Sequence, residues 1–129
     1  MADAKPRDLC ERTFLFSRDI VRFCMILSRQ PGASRQISGQ LLRAGTSVGG
    51  NAEEARAAYS RREFACKNNV VLKEARESRF WLRLVIATGL TPEGYEQTTE
   101  ALRQEADELV GIYTASVRST RASLTTRAK

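Results

Sequence analysis

The chain has 129 residues, of which 21 are Lys or Arg, 15 are Asp or Glu and none is His. The length predicts one domain that can bury its own hydrophobic core, and the net charge of +6 favours an acidic partner or surface. The missing histidine excludes Ser-His-Asp hydrolases, Cys-His proteases, HExxH zinc enzymes and di-iron bundles built on Glu-x-x-His motifs.

Cysteine usage and hydropathy indicate where the protein works. Cys10, Cys24 and Cys66 form neither a CxxC motif nor a metal-ligand spacing, so we expect small, semi-buried residues. An odd cysteine count without a secretory signal predicts the reducing cytoplasm. The longest apolar run, Phe23–Leu27, is too short to cross a membrane. These features predict a cytoplasmic protein with no metal, no cofactor and no catalytic residue.

Apolar residues recur in steps of three and four along the first half of the chain, which is the spacing of one helix face. They predict a first helix from Leu9 to Leu27 that the turn signal Gln30–Ala33 ends. The same spacing predicts a second helix that Ser34 caps and that continues to Ala55.

Two N-terminal capping motifs predict the starts of helices in the second half of the chain. Ser60-Arg-Arg-Glu63 is a capping box, and the apolar seam behind it runs to Val85. Thr91-Pro92-Glu93 predicts the start of a fourth helix, with Thr91 as its cap and Pro92 at its first position. After Ser119 the chain has little periodicity and no acidic residue, which predicts a frayed basic tail.

Four amphipathic helices joined by short connections predict an all-α fold, an antiparallel up-and-down four-helix bundle. We assign the bundle to residues 8–118, an N-terminal tail to residues 1–7 and a basic C-terminal tail to residues 119–129. No segment shows the alternating pattern that is typical of a strand.

The predicted second helix contains a glycine-rich stretch, and glycine disfavours a helical conformation. Gly45, Gly49 and Gly50 each cost about 1 kcal/mol relative to Ala inside a helix, so propensity alone favours a loop. A phosphate-binding loop is disfavoured because no Gly-Lys-[Ser/Thr] follows. The remaining interpretation is a helix whose glycines let a neighbouring backbone approach closely.

This stretch lies within a recognisable segment, Gln40-Leu-Leu-Arg-Ala-Gly-Thr-Ser-Val-Gly-Gly-Asn-Ala-Glu-Glu-Ala55. The segment resembles the hallmark of the 23S rRNA intervening-sequence family of four-helix-bundle proteins. Ser60–Phe64 and Leu72–Leu84 continue the resemblance, which covers residues 8–118.

The resemblance implies a helical glycine stretch and a bundle that assembles into a five-fold ring. The accessory variability determinant proteins of diversity-generating retroelements are similar to this family, and they are basic pentamers that associate with a reverse transcriptase and with nucleic acid. No catalytic residue set belongs to the family, so the resemblance implies no enzyme activity.

Polar residues near the seams of the second and third helices predict a structural network. We expect Arg43 or Lys73 to hydrogen-bond a set of polar partners and so to fix the register between the two helices. The alternative is a metal site, although a di-iron bundle requires histidines and carboxylates on facing helices. The predicted partners are two pairs that each share a helix face, namely Asn51 with Glu54 and Glu74 with Glu77.

Positive charge is concentrated in the middle of the chain. Between Arg29 and Arg83 eleven basic residues accompany five acidic ones, whereas between Glu93 and Glu108 one basic residue accompanies six acidic ones. In the heptad frame of the third helix, basic residues repeat on the outer face beside one aromatic residue. We call this set the basic stripe; it comprises Arg62, Lys73, Arg76, Arg79, Phe80 and Arg83.

A stripe of this composition neutralises phosphates and can stack a base. It therefore predicts nucleic-acid binding. The alternatives are a solvated face, or a face that meets the acidic fourth helix of another subunit.

Apolar residues outside the core positions predict an interface. Phe14, Val21 and Met25 lie along one side of the first helix, and Trp81 flanks the seam of the third. Because surplus exposed apolar surface usually marks an interface, we expect these four residues to make subunit contacts. A wider core within the monomer is the alternative.

Together these features predict a non-enzymatic adaptor that forms a homo-oligomer, a homopentamer by the resemblance, and binds RNA or DNA through the basic stripe. The expected partner is structured RNA, alone or in complex with a reverse transcriptase; no membrane is involved. The alternative is a homo-oligomeric protein-binding scaffold without direct nucleic-acid contact.

Overall fold

Four helices account for nearly all of the described chain. The computed structural model describes residues 8–128, so the predicted tail at residues 1–7 and the terminal Lys129 lie outside the described residues. The helices are α1 (Leu9–Leu27), α2 (Ala33–Arg56), α3 (Arg61–Ala87) and α4 (Glu96–Ala128). Within residues 8–128 there is no strand, and no helix is long and apolar enough to cross a membrane. Each helix packs on the next along the chain, which confirms the predicted all-α four-helix bundle.

The predicted apolar seams form the core. Seam positions of α1 from Thr13 to Leu27 are buried and face the buried sides of the other helices. Burial of one large apolar side chain contributes roughly 1.5–3 kcal/mol, so this core, rather than helix propensity, holds the helices together. The largest fully buried side chains include Phe23, Ile20, Leu27, Leu41, Leu82 and Leu109.

The capping box at the start of α3 forms as predicted, with one difference. Ser60 Oγ accepts a hydrogen bond from the Glu63 amide at 3.1 Å. The Glu63 carboxylate accepts a hydrogen bond from the amide of Tyr59, also at 3.1 Å, and not from the amide of the cap residue itself. Two amides outside the helix ladder thereby find acceptors.

The predicted starts of α2 and α4 are wrong by a few residues. α2 begins at Ala33 without a side-chain cap, and Ser34, the predicted cap, is buried. α4 begins at Glu96 and not directly after Thr91. The reason is Gly94, whose φ of 84° lies outside the right-handed helical range.

α4 continues to Ala128, so residues 119–128 are helical and differ from the predicted frayed tail. The extension has a packing partner, because the first turns of α3 lie beside it. Arg61 Nη1 donates to Ser123 Oγ at 3.1 Å, and Val117 is buried. These contacts between α3 and α4 stabilise turns that the sequence pattern alone does not favour.

The glycine-rich stretch is helical, and two of its glycines let α1 approach closely. A Cβ atom at Gly45 would lie 2.5–2.9 Å from three side-chain atoms of Ile20, and one at Gly49 would lie 2.6 Å from Ser17 Oγ. A Cβ atom at Gly50 would meet nothing within 4 Å. The interpretation of a helix with a close neighbour is therefore confirmed at the first two positions.

Ser17 joins α1 to α2 at this contact. Its Oγ donates to the carbonyl of Gly45 at 2.7 Å and accepts from the amide of Gly49 at 3.0 Å. These two backbone groups belong to an i, i+4 pair, which an α-helix joins to each other. The hydroxyl of α1 thus reaches the α2 backbone at two positions where no side chain blocks it.

α1 and α4 contact each other much less than the other neighbouring helices do. Their strongest described polar link is an ion pair in which Arg12 Nε and Nη2 donate to the two carboxylate oxygens of Glu105 at 2.8 and 2.6 Å. Both side chains are mostly buried. A paired-donor contact of this kind fixes orientation as well as distance, so it holds α4 against α1 where few apolar contacts do.

Replacing Gly45 tests the close approach of α1 and α2. We expect Gly45→Ala to lower the free energy of unfolding by about 1–3 kcal/mol, because the new methyl group forces the buried Ile20 to move. The matched control Gly50→Ala should raise it by about 0.5–1 kcal/mol, because alanine favours the helix and the site is open. Urea unfolding followed by circular dichroism measures both; equal effects of the two substitutions would contradict the packing.

Replacing Arg12 tests the link between α1 and α4. We expect Arg12→Met to lower the free energy of unfolding by about 1.5–3 kcal/mol, because the mostly buried Glu105 carboxylate loses two charged donors. Arg18→Met is the control, since Arg18 pairs with its neighbour Asp19 at the surface and such pairs contribute at most about 1 kcal/mol. A loss no larger than that of the control would show that the ion pair does not hold the helices together.

Candidate nucleic-acid interface

Five of the six residues of the basic stripe lie on the outer face of α3. Arg62, Arg76 and Arg83 are spaced by multiples of seven residues, and Lys73 and Phe80 follow Arg62 by 11 and 18 residues, or about three and five helical turns, so all five return to the same side of the helix. At about 1.5 Å per residue, the first and last of them are roughly 32 Å apart along the helix axis. The exposed members are Arg62, Lys73, Arg76, Phe80 and Arg83.

The four cations of this face have no ion-pair partner in the described part of the chain. Within residues 8–128, none of them forms a salt bridge or a side-chain hydrogen bond. Other arginines of the protein do pair, as Arg43 does with Glu77 and Arg103 with Glu100. An exposed guanidinium without an internal acceptor keeps its donors available for a phosphate.

Arg79 is the sixth member of the basic stripe, and the structure places it elsewhere. It is half-buried and turned towards α4, where its Nη1 lies 2.9 Å from Asp107 Oδ1. Its charge is therefore compensated within the subunit. Arg79 joins α3 to α4 and does not extend the exposed stripe.

Phe80 is the aromatic residue of the exposed face. Its ring packs edge-on against Trp81, with ring centroids 5.0 Å apart and an interplanar angle of 75°. About half of Phe80 is exposed, so part of it remains open to a ligand. The geometry is compatible with stacking of a base beside the cations.

The predicted subunit-contact residues separate into two groups. Phe14 and Met25 are 60% and 65% exposed, and Val21 between them is exposed too. Trp81 is half-buried and packs against the core, and its Nε1 is buried without a hydrogen bond to the described residues. The α1 residues thus form an open apolar strip, whereas Trp81 belongs to the packing of α3.

The predicted polar network forms around one arginine at the surface. Arg43 of α2 contacts two carboxylates of α3: its Nη1 lies 3.4 Å from Glu74 Oε2, and its Nη2 donates to Glu77. Asn51 donates instead to the Ser47 carbonyl within its own helix at 2.8 Å. Glu54 is exposed, and its carboxylate forms no hydrogen bond or ion pair with residues 8–128. Within the predicted network, the polar link between α2 and α3 therefore comes from Arg43, because Asn51 finds its acceptor one turn earlier.

No metal site is assembled in the described part of the chain, and the surroundings of Cys10 and Cys24 do not activate these two thiols. No group of three or more Cys, Asp or Glu side chains there has the arrangement of metal ligands. Burial raises the pKa of Cys24 to about 11. The hydrogen bond from Cys10 to Glu53 raises the pKa of the Cys10 thiol. Both thiols stay protonated at neutral pH, which is the opposite of nucleophile activation.

A groove between α1 and α4, of about 870 Å³, was not predicted. Its floor is apolar and its rim carries charged residues of α1. It lies where these two helices make few contacts with each other, a property that no pattern within one helix reveals. The apolar residues Leu15 and Ile26, which lie off the α1 seam and line the groove, are the signal that points to it.

A smaller pocket of about 400 Å³ lies at the opposite end of the bundle. It is formed where the start of α1, the end of α2, the start of α3 and the second half of α4 meet. Phe64, Asn68 and Tyr113 contribute to its walls, and Arg56 lies at its edge. These residues come from three helices, so their proximity depends on the register of the whole bundle.

Comparison with known proteins places the fold in a family. A family model described as "23S rRNA-intervening sequence protein" matches residues 7–115. A similar solved structure is that of a protein of unknown function from the S23 ribosomal protein family of Bacteroides thetaiotaomicron, with 30% sequence identity and a TM-score of 0.71. The similarity covers 84% of this chain and 97% of the other chain.

No curated protein matches the chain. The family model nevertheless spans most of it, including the glycine-rich contact between α1 and α2 and the whole exposed face of α3. The chain therefore belongs to the 23S rRNA-intervening sequence protein family.

Proposed function

We propose that this protein is a non-enzymatic, homo-oligomeric adaptor that binds RNA through the outer face of α3. The observation that carries the proposal is the row of four unpaired, exposed cations at Arg62, Lys73, Arg76 and Arg83. Internal ion pairs do not use these charges, so an external polyanion is their natural acceptor. The family description, which refers to ribosomal RNA, supports RNA over DNA.

The distribution of charge supports a polyanion on this face. Acidic residues are concentrated in the first half of α4, and the one basic-stripe residue that reaches them, Arg79, is paired with Asp107. The outer face of α3 keeps its positive charge as a result. A segregated field of this kind attracts nucleic acid and orients it on one side of the protein.

Contacts made through phosphates give a defined salt dependence. Four phosphate contacts correspond to a slope of about −2.8 to −3.6 in the logarithm of affinity against the logarithm of salt concentration. Affinity should then fall roughly 50- to 150-fold between 50 and 200 mM salt. Sequence preference should be weak, because phosphates carry no sequence information.

Assembly of several subunits would increase this affinity. The apolar strip of Phe14, Val21 and Met25 is exposed on α1, and we assign it to contacts between copies of the chain. A ring that presents several α3 faces gains avidity of about 10²–10⁴ over a single site. We further propose that the assembly is a pentamer with a reverse transcriptase as a further partner of the RNA complex, which is what the resemblance to accessory proteins of diversity-generating retroelements implies.

A second candidate function is that of a protein-binding scaffold without direct nucleic-acid contact. The observation in its favour is the groove between α1 and α4, whose apolar floor and volume of about 870 Å³ fit an amphipathic segment of a partner protein. Under this alternative the cations of α3 dock an acidic protein surface.

Charge reversal on α3 separates the two candidates. We expect wild-type protein to bind a structured RNA with the salt dependence given above. Arg76→Glu combined with Arg83→Glu should weaken binding strongly and reduce the magnitude of the salt slope by about 2, because two phosphate contacts are lost. Fluorescence anisotropy at a series of salt concentrations measures both quantities.

The matched control is Arg22→Glu combined with Arg29→Glu, which changes the net charge equally at two exposed positions outside the basic stripe. This control should retain most of the salt slope. An equal loss in both double variants would show that net charge, and not the α3 face, drives binding. Absence of binding by the wild type at low salt would favour the scaffold.

Light scattering tests the assembly. A pentamer of the 14.4 kDa chain has a mass of about 72 kDa. We expect Phe14→Ser combined with Met25→Ser to lower the mass, because exposed apolar side chains of the α1 strip no longer contact a neighbour. Phe80→Ser removes an exposed aromatic side chain from the outer face of α3, and it should leave the mass unchanged. A wild-type mass near that of one chain would contradict the assembly.

A further inference from the structure

The pocket at the α1 start of the bundle is lined by a tyrosine whose hydroxyl has no hydrogen-bond partner among residues 8–128. The Tyr113 residue as a whole is only 3% exposed. Burial raises the pKa of Tyr113 to about 12, so the hydroxyl stays protonated and can both donate and accept. A buried tyrosine hydroxyl usually has a partner, and this one lines a pocket of about 400 Å³.

A second buried polar side chain lines the same pocket. Asn68 is 5% exposed, and its Nδ2 donates to Ser116 Oγ at 3.3 Å, which holds the amide in place. That is the one side-chain hydrogen bond Asn68 forms within the described chain. An amide has two donor hydrogens and a carbonyl acceptor, so hydrogen-bonding capacity remains on the pocket wall.

The rest of the pocket provides an aromatic wall and a cation. Phe64 lines it and is partly exposed. Arg56 lies at the edge, where its Nη1 is 3.7 Å from Asp8 Oδ2 and both side chains are well exposed. So long and exposed an ion pair is weak, and the guanidinium is free to exchange the carboxylate for a phosphate. The other nearby carboxylate, Glu53, already accepts from Cys10 Sγ at 2.9 Å.

We propose that this pocket holds one unpaired nucleobase of the bound RNA. Phe64 provides the stacking surface, Tyr113 and Asn68 contact the edge of the base, and Arg56 contacts the adjoining phosphate. Recognition of RNA bases commonly uses unpaired nucleotides, an aromatic stacking partner and hydrogen bonds to the base edge. The pocket volume lies within the range of about 300–1,000 Å³ that is usual for small-ligand sites.

The pocket lies at the same end of α3 as the first cation of the exposed face. Arg62 precedes Phe64 by two residues on the same helix, which is about 3 Å along the helix axis but about 200° around it, so the two side chains point to different sides of α3. A strand that follows the cations along α3 therefore has to turn around the start of the helix to place a base in the pocket. This inference rests on the proposed RNA-binding function, and it adds a base-reading site to a surface that otherwise contacts phosphates.

The test uses the full-length protein and a hairpin RNA that carries 2-aminopurine at one unpaired loop position. Binding should change the 2-aminopurine fluorescence, because the base becomes stacked on Phe64. Tyr113→Phe should weaken binding about 2- to 10-fold, and Phe64→Leu about fivefold or more. Neither substitution should change the salt slope. Tyr59→Phe is the matched control, because Tyr59 is 98% exposed and lies outside the pocket, and it should have no effect.

An abasic loop provides a second test that uses only the wild-type protein. Removing the base should weaken wild-type binding to the level of Phe64→Leu, and that variant should bind the abasic RNA as well as the wild type does. If the abasic RNA binds wild type as tightly as the intact RNA, or if the pocket variants match the control while salt-dependent binding persists, the pocket proposal fails and the α3 proposal stands.

A mononucleotide distinguishes the remaining outcomes. If the wild type binds no RNA at low salt but adenosine monophosphate shifts the amide NMR resonance of the Asn68 side chain, the pocket accepts a free nucleotide and the RNA-binding function fails. If neither RNA nor mononucleotide binds, both proposals are overturned.

Discussion

The contact between the Ser17 hydroxyl of α1 and the backbone of α2 at its two glycines sets the geometry of this bundle. Gly45 and Gly49 allow α1 to lie so close that one hydroxyl reaches a carbonyl and an amide of the neighbouring helix. α2 carries Arg43 on another side, where it contacts the Glu74 carboxylate of α3. The orientation of α3 therefore depends on how α2 packs against α1. The direction in which the cations of α3 point depends on the same packing.

Much of this fold was predictable because each helix buries one face. The α1 seam and the cap at Ser60 depend on residues a few positions apart, and both are found as predicted, except that the Glu63 carboxylate bonds the amide of Tyr59. The ends of the helices were predicted less well, since they depend on backbone conformation and on contacts with neighbouring helices, which the hydrophobic pattern of one segment does not include. The positive φ of Gly94 delays the start of α4, and a neighbour, Arg61 of α3, supports its last turns.

The candidate site was also predictable only where it depends on residues of a single helix. The heptad spacing of Arg62, Arg76 and Arg83 determines that they share a face, whatever the rest of the bundle does. Arg79 could not be separated from them in advance, because its pairing with Asp107 depends on the register of α3 against α4. The pocket proposed for a nucleobase could not be predicted from the sequence, because its walls come from four helices and only the assembled bundle brings them together.

Unpaired cations persist on α3 because they cost the fold little. Arg76 and Arg83 are one heptad apart, about 10 Å along the helix, and two unit charges at that distance in water repel by only about 0.4 kcal/mol. Salt reduces this further, since the Debye length at physiological ionic strength is about 8 Å. A phosphate at about 4 Å gains about 1 kcal/mol from each cation, and under the proposed function these gains would accumulate along the helix. The separation of basic α3 from acidic α4, more than the net charge of +6, is therefore the feature on which the proposed preference of this face for a polyanion rests.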